Sequence, residues 1–294
     1  MRSVELCAGA GGLALATTQA GFTPLALLES DPVACATITE NQRRGGQWVK
    51  TWPAVSPVDI RDFDYSSLTG PVDLLSGGPP CQPFSVAGKH LGIDDDRDLF
   101  AEVARAMVHL RPRAILIENT KGLARATFQR QLRYIRLQLT FPEQSRKPGE
   151  HWETFLARLE ELAAAKTRGL RYAVSCAVLN AADYGVPQQR ERLIIVGFRD
   201  GEHFPFTLTP PHSLDALLYG QWVTREYWDR HKVSSRRRPK PPEKWQARIK
   251  RLKDEENPVS ARPWVTVRDA IASLPEPVAS ALDDNHLNHR LLMN

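Results

Sequence analysis

Short, nearly continuous apolar runs recur through the first 200 residues of the chain. Five of them, each rich in Val, Ile or Leu, predict strands at Ser3–Cys7, Pro24–Leu28, Val72–Leu75, Ala114–Ile117 and Leu193–Phe198. Runs of this kind are typical of strands that are covered on both faces. Stretches with helical spacing lie between them, at Leu13–Ala20, Asp98–Leu110 and Trp152–Lys166. The alternation predicts an α/β fold with a doubly wound, mostly parallel sheet.

Composition excludes several classes of protein. Of the 294 residues, 42% are hydrophobic and 25% are charged, which excludes a collagen-like, a low-complexity or a wholly disordered chain. No apolar run approaches the roughly 20 residues of a membrane span. The four cysteines lie far apart without a CxxC pair. A disulfide scaffold and a zinc ribbon are therefore disfavoured, no metal site is expected, and a reducing cytoplasm is the expected compartment.

The balance of charge changes near residue 200. The whole chain carries a formal net charge of +5, which permits a polyanionic partner without identifying one. From Arg225 to Lys253, twelve Lys or Arg residues stand against three Asp or Glu residues, interleaved with Trp222, Trp228 and Trp245. Either a solvated loop or a nucleic-acid contact surface fits this segment, and the tryptophans favour the second. We divide the chain into an α/β domain, residues 1–200, and a basic extension, residues 201–294.

Glycines and carboxylates follow the first predicted strands. The sequence VELCAGAGG places Gly9, Gly11 and Gly12 in a turn before a helix, where backbone N–H groups can approach a ligand. The GxGG spacing alone also fits a structural turn. Glu29, at the tip of the second strand, can accept hydrogen bonds from ribose hydroxyls, and Asp59 can accept them from an amino group such as that of adenine. The ordered set predicts a cofactor that carries a nucleoside.

Three later segments carry candidate catalytic side chains. GGPPCQPFS presents Cys81 on a stiff loop after a strand, whereas the other three cysteines are accounted for as small core side chains. ENT places Glu118 at the end of the next strand, so a thiol and a carboxyl group share one pocket if the two strands are neighbours. GVPQQRERLIIVG predicts that Gln188, Arg190 and Arg192 share one strand face. A surface ion-pair ladder is the alternative for the last group.

Together these motifs resemble, in order and spacing, those of the DNA (cytosine-5)-methyltransferases of bacterial restriction–modification systems. LCAGAGG is similar to the cofactor glycine motif, LLESDP to the ribose-contact motif, VDIRD to the adenine-contact motif and GGPPCQPFS to the nucleophile motif. RDLF, ENT and QQRER resemble the blocks that follow. The resemblance covers about residues 3–200, and it implies the Rossmann-like fold of S-adenosylmethionine-dependent methyltransferases.

The resemblance also implies a substrate, a cofactor and a set of site residues. The substrate is a cytosine flipped out of double-stranded DNA, methylated on carbon 5 through a covalent adduct, and the cofactor is S-adenosylmethionine. The implied catalytic residues are Cys81, Glu118, Arg190 and Arg192. The implied cofactor-binding residues are Leu6, Cys7, Gly9, Gly11, Gly12, Leu13, Glu29, Asp59, Ile60, Pro80 and Leu99. The implied DNA-binding residues are Gln82, Ser85, Arg97 and Gln188.

The chain departs from the family pattern in several places. Cys7 stands where many relatives have Phe, Ser30 where some have an aromatic residue and Thr120 where Val is usual, and residues 128–150 resemble an insertion. No block resembles the family's late motifs or its target recognition domain. We therefore expect the catalytic part of a split enzyme, whose recognition domain is supplied by a second polypeptide.

Three other hypotheses stay open at this point. An inactive truncated remnant would bind only DNA or a partner, through the basic segment. An RNA methyltransferase of the same fold would share most motifs, although the PFS ending of the nucleophile loop favours DNA. A flavin- or nicotinamide-dependent oxidoreductase could share the sheet, but it would leave Cys81, Glu118 and Arg192 without a role.

Overall fold

The computed structural model describes residues 1–80, 99–165, 168–200, 208–255 and 259–274. The described residues belong to two compact units. The first unit comprises residues 1–179 and 191–200, and the second comprises residues 180–190 and 208–274. The functional division of the chain at residue 200 stays a prediction.

Six strands of the described residues form one sheet. They are β1 (Arg2–Leu6), β2 (Thr23–Leu28), β3 (Leu74–Gly77), β4 (Ala114–Thr120), β5 (Tyr172–Asn180) and β6 (Glu191–Arg199). Their order across the sheet is β2-β1-β3-β4-β6-β5. β1 pairs in parallel with β2 and β3, and β3 pairs in parallel with β4, whereas β6 pairs with β4 antiparallel. The predicted mostly parallel α/β sheet is confirmed.

Helices cover both faces of this sheet. Its strands carry apolar side chains on both faces, and both faces are therefore buried. The helices of the first unit are α1 (Gly12–Gln19), α2 (Pro32–Arg43), α3 (Phe100–Leu110), α4 (Gln129–Thr140) and α5 (Trp152–Ala164). One face buries Val4 and Leu6 of β1 in a large core with α3, α4 and α5. On the other face, Leu27 of β2 packs with Ala14 of α1 and Ile38 of α2.

The segment that resembles an insertion is part of the large core. It forms α4, which buries Leu132, Ile135 and Leu139. Tyr134 of the same helix packs edge-on against Trp152 and Phe155 of α5, with ring centroids 5.8 Å apart in both cases. Removing residues 128–150 would therefore expose the sheet face that α4 covers.

A carboxyl group is buried in the middle of the sheet. Glu5 of β1 is 1% exposed and lies beside its register partner Ser76 of β3, whose hydroxyl donates a hydrogen bond to the Glu5 carboxyl. Burial raises the pKa of Glu5 to about 7, although the hydrogen bond from Ser76 lowers it. The Glu5 side chain therefore takes up a proton on folding over a range of pH in which an exposed glutamate is ionised.

The second unit has a small core of its own. Its elements are β7 (His212–Ser213), α6 (Leu214–Trp222), α7 (Glu226–Arg230), α8 (Gln246–Asp254), β8 (Arg262–Pro263) and α9 (Val267–Ile271). Leu218 of α6 packs against Ile249 and Leu252 of α8. In the described parts of both units, no helix is both long enough and apolar enough to cross a membrane.

The buried Glu5 predicts a pH-dependent stability. Because its pKa is raised from 4.5 to about 7, the folded state binds more protons than the unfolded state between these values. Its contribution to the free energy of unfolding should fall by about 3 kcal/mol as the pH rises from 4.5 to 7. Urea unfolding of wild type and Glu5→Gln across this range should show a flatter pH dependence for the variant. Glu161→Gln, at an exposed position on α5, is the control, and equal pH dependence of all three proteins would contradict the assignment.

Candidate cofactor and catalytic site

A cavity of about 310 Å³ lies at the carboxyl ends of β1, β2 and β3. Parallel sheets of this type bind ligands at this edge. The cavity is lined by Cys7, Gly9, Leu28, Glu29, Ser30, Val58, Asp59, Ile60, Gly78, Pro80 and Leu99. Most of its lining side chains are apolar, and two of the lining residues, Glu29 and Asp59, carry carboxylates.

The glycine turn after β1 is held by the tip of β2. The N–H of Gly9 donates to Glu29 Oε2 at 2.7 Å, and the N–H of Asp31 donates to Glu29 Oε1 at 2.8 Å. Gly9 and Gly11 have φ values of +54° and +86°, which a residue with a side chain rarely adopts. Since each carboxylate oxygen accepts more than one hydrogen bond, Glu29 can fix the turn and still accept from a ligand.

Asp59 reaches the same cavity from the segment that follows β2. The N–H of Val58 donates to the carbonyl of Glu29 at 2.7 Å, which places Asp59 beside the β2 tip. The Arg61 guanidinium donates to the Asp59 carboxylate, with Nη2 2.6 Å from Oδ2, and this contact lowers the pKa of Asp59. Asp59 is therefore held as a carboxylate, a hydrogen-bond acceptor, at the cavity wall.

Cys7 lines the cavity as an un-ionised thiol. Burial, together with the carboxylates of Glu29, Asp59 and Glu5, raises the pKa of Cys7 to about 12. A thiol with this pKa is a poor nucleophile at neutral pH. Cys7 thus serves as a small apolar wall of the cavity, at a position where the backbone has a φ of +51°.

Most of the predicted cofactor-binding residues lie together. Seven of the eleven line the cavity: Cys7, Gly9, Glu29, Asp59, Ile60, Pro80 and Leu99. The remaining four do not line it: Leu6, Gly11, Gly12 and Leu13. Leu6 is fully buried in the large core, and Gly11 begins the turn into α1, where an added Cβ would lie 2.7 Å from the Trp52 ring. Sequence reasoning did not assign Leu28, Val58 and Gly78 to the cofactor, although they follow or flank the motifs that it identified.

The predicted nucleophile segment and Glu118 belong to neighbouring strands. β3, which leads into GGPPC, pairs with β4, which ends in Glu118 and Asn119. The Asn119 side-chain amide donates to the carbonyl of Pro79 at 3.2 Å, and a Cβ added to Gly78 would lie 3.7 Å from Glu118 Oε2. Glu118 therefore lies beside the backbone that leads toward Cys81. Cys81 itself lies outside the described residues, as do Gln82, Ser85 and Arg97.

Glu118 forms an ion pair with Arg192 of β6. The distance between Arg192 Nε and Glu118 Oε1 is 2.7 Å, and both side chains are about one third exposed. The antiparallel register pairs Glu118 with Ile194 and Thr120 with Arg192, so Glu118 and Arg192 are diagonal neighbours on one face of the sheet. Glu191 pairs instead with Lys121. Arg192 is therefore paired with Glu118. It does not belong to a surface ion-pair ladder with Glu191, the alternative that the sequence left open for the arginines.

Arg190 and Gln188 are placed differently from Arg192. β6 begins at Glu191, so the prediction that Gln188, Arg190 and Arg192 share one strand face is wrong. Arg190 and Gln188 are exposed and belong to the second unit, where the Arg190 N–H donates to Asn180 Oδ1 at 3.1 Å. Hydrogen bonds to the backbone around Asn180 thus hold Gln188 and Arg190 outside strand β6.

Comparison with known proteins supports the resemblance of the motifs. A family model described as C-5 cytosine-specific DNA methylase matches residues 1–141 and 144–271. The chain is 42% identical over 197 residues to the Type II methyltransferase M.PspPI of a Psychrobacter species, covering 67% of this chain and 39% of that protein. It is 37% identical over 219 residues to M.NgoMIV of Neisseria gonorrhoeae, covering 74% and 58%. It is 32% identical over 223 residues to M.AquIA of a Picosynechococcus species, covering 71% and 76%.

One solved structure supports the fold. It is a crystal structure named as a DNA modification methyltransferase encoded within a prophage of E. coli. The TM-score is 0.52 at 20% sequence identity, over 95% of this chain and 57% of that one. At this identity the likeness establishes the fold, a Rossmann-like methyltransferase fold. The chain spans 39% and 58% of the length of the first two relatives named above.

Two adjacent glycines should respond differently to substitution. Gly11→Ala adds a Cβ 2.7 Å from Trp52 at a φ of +86°, whereas a Cβ on Gly12 meets no atom within 4 Å. We expect Gly11→Ala to lower the free energy of unfolding by about 1–3 kcal/mol. Gly12→Ala, at the start of α1, should leave it unchanged or raise it by up to about 1 kcal/mol. Urea unfolding of the two variants measures both effects, and equal stability would contradict the geometry of the turn.

Proposed function

We propose, from the premise that this chain belongs to the C-5 cytosine-specific DNA methylase family, that it transfers a methyl group from S-adenosylmethionine to carbon 5 of cytosine in double-stranded DNA. One observation carries the proposal. Gly78, three residues before Cys81, lines the cavity with its two carboxylates, and a Cβ on Gly78 would lie 3.7 Å from Glu118 Oε2, the partner of Arg192. A cofactor and a base bound on the two sides of this backbone would be neighbours.

The cavity residues fit the nucleoside part of the cofactor. Glu29 can accept from ribose hydroxyls and Asp59 from the adenine amino group, while Leu28, Ile60 and Leu99 offer apolar contacts to a flat ring. When bound, S-adenosylmethionine supplies an electrophilic methyl group on a positively charged sulfur. The role of the chain at this site is to orient that group and to exclude water from it.

Cys81 is proposed as the nucleophile. Its thiolate forms a bond to carbon 6 of cytosine, the carbon 5–carbon 6 π bond breaks, and carbon 5 becomes an enamine carbon. Carbon 5 would then accept the methyl group, and the bond between that methyl and the cofactor sulfur would break with its electron pair left on sulfur as a neutral thioether. A base then removes the proton from carbon 5, the double bond forms again, and the Cys81 thiolate leaves. Because the two faces of the ring are inaccessible in a stacked duplex, the cytosine must be flipped out.

Glu118 and Arg192 are proposed to act on the ring as a pair. When the thiolate adds to carbon 6, negative charge develops toward ring nitrogen 3 and oxygen 2. Glu118 must first take up a proton; it then donates that proton or a hydrogen bond to nitrogen 3, while Arg192 donates to oxygen 2 with its fixed fork of N–H groups. The ion pair between them supports this assignment, because it holds both side chains on one face of the sheet, and Glu118 lies beside Gly78.

The remaining assignments stay predictions. Gln82, Ser85 and Arg97 are proposed to contact the DNA around the flipped base, and Gln188 and Arg190 to contact phosphate. A role in a restriction–modification system is proposed because the relatives named above are Type II methyltransferases. A second polypeptide for target recognition and a cytoplasmic location stay predictions.

Replacement of the nucleophile tests the proposed chemistry. Cys81→Ala should lower the rate of methyl transfer by at least about 10³-fold, because no adduct can form at carbon 6. On DNA containing 5-fluorocytosine, wild type should form an adduct stable in denaturing gels, since a fluorine at carbon 5 cannot leave as a proton does. The matched control Cys176→Ala, a thiol of β5, should keep both properties. Full turnover by the Cys81→Ala variant would refute the assignment.

Replacement of Glu29 tests the cofactor site. Glu29→Gln keeps the size of the side chain but loses the charge that accepts from Gly9 and, as proposed, from the ribose. We expect the Kd for S-adenosylhomocysteine, measured by isothermal titration, to rise by about 10- to 100-fold. The control is Glu40→Gln on α2, whose carboxylate pairs with the exposed Arg43 and Arg44. A Kd within about twofold of wild type would contradict the role given to Glu29.

A further inference from the structure

The basic segment of the second unit carries two kinds of cation. Some are neutralised: Arg238 pairs with Asp229, and both Arg248 and Arg251 pair with Asp215. Others between residues 232 and 253 are exposed and have no acidic partner among the described residues. These are Lys232, Arg236, Arg237, Lys240, Lys244, Lys250 and Lys253, which we call the unpaired strip.

Helix α8 illustrates the distinction. It buries Ile249 and Leu252 against α6, and it carries a basic edge on each side of this apolar stripe. Arg248 and Arg251, three residues apart, form one edge; both pair with Asp215, and Arg251 also pairs with Glu255. Lys250 and Lys253, also three residues apart, form the other edge, and both are exposed. A helix that only needed a solvated surface would not require one edge to be neutralised and the other left charged.

The tryptophans of this segment belong to the core of the unit. Trp228 is 7% exposed and its indole N–H donates to the carbonyl of Gln221 at 2.6 Å. Trp222 packs edge-on against Trp228 with centroids 5.4 Å apart, and its indole nitrogen is buried. Trp245 packs against the same core, with Lys244 and Arg248 over its ring. The three tryptophans therefore do not supply the support for a nucleic-acid contact surface that their position in the sequence suggested.

This arrangement separates two kinds of nucleic-acid contact. Binding of single strands relies on aromatic side chains on which bases stack, and these are occupied in the core. Binding of a duplex from outside relies on cations that contact phosphates, and these are exposed and unpaired. We propose that the unpaired strip binds the phosphate backbone of double-stranded DNA without reading its sequence. The proposal rests on the proposed function, since it supplies a second contact with the substrate of that reaction.

The salt dependence of DNA binding tests this surface. Binding of the full chain to a fluorescein-labelled duplex is measured by anisotropy between about 50 and 200 mM salt. Two triple variants each remove three charges of the strip: R236Q/R237Q/K240Q and K244Q/K250Q/K253Q. For each neutralised side chain that contacts a phosphate, the slope of log Kobs against log salt should become shallower by about 0.9. We expect each variant to lose about 2 to 3 of the slope and at least about 10-fold in affinity at 100 mM salt.

The matched control removes the same number of charges from paired arginines of the first unit. In R43Q/R44Q/R133Q, each residue is exposed and pairs with a glutamate, Glu40 or Glu160, so the slope should stay within about 0.5 of wild type. Equal slopes for wild type and both strip variants would overturn the proposal. So would a single strand that binds more tightly than the duplex through Trp245, as judged by Trp245→Ala. Equal loss of binding to polyglutamate and to the duplex would also overturn it, in favour of an acidic protein partner.

The 5-fluorocytosine adduct keeps this test separate from the test of the enzyme. If the strip variants lose salt dependence and wild type forms no adduct either alone or with the second polypeptide present, the surface stands and the proposed methyl transfer fails. If wild type forms the adduct and the strip variants keep the wild-type slope, the methyl transfer stands and the surface fails.

Discussion

The parallel pairing of β1 with β2 on one side and with β3 on the other is the constraint on which the site depends. It brings the glycine turn, the Glu29 tip and the GGPP segment to one edge of the sheet, although these three are spread over about 70 residues of the chain. The β3–β4 pairing adds Glu118 at the same edge. Because strand pairing is cooperative and buried here, the positions of these groups follow from the core and not from the loops that carry them.

Glu29 joins the stability of this edge to its chemistry. Its carboxylate accepts from the N–H groups of Gly9 and Asp31, so it fixes the shape of the turn as well as the acceptor that faces the cavity. Cys7 and Asp59 lie in the same cluster, where burial and the nearby carboxylates keep the Cys7 thiol protonated and Arg61 keeps Asp59 ionised. Among its described lining residues the cavity thus presents acceptors and apolar walls, and its one thiol, Cys7, is un-ionised. This fits the proposal that the nucleophile is Cys81 of the neighbouring GGPPC segment.

Apolar runs and motif order were sufficient to predict the parallel strands and most of the cavity. They did not predict β5, whose apolar run YAVSCAVLN is interrupted by Ser175 and whose residues are mostly half buried at the end of the sheet order. They took Trp222 and Trp228 as support for a contact surface, because the density of charge in a segment does not show which side chains pack beneath it. The environment of a single side chain, such as Thr120, could not be predicted either. Its hydroxyl is buried without a hydrogen-bond partner among the described residues, at a place where the family usually has Val.

The most direct test of the account is transfer of tritiated methyl groups from S-adenosylmethionine to duplex DNA, followed by digestion to nucleosides. The assay is run with the chain alone and with the product of the neighbouring reading frame added. The account predicts that the label appears in 5-methylcytosine, and appearance only in the mixture would locate target recognition on the second polypeptide. Label on another base, or no label in either assay with a folded protein, would contradict the account.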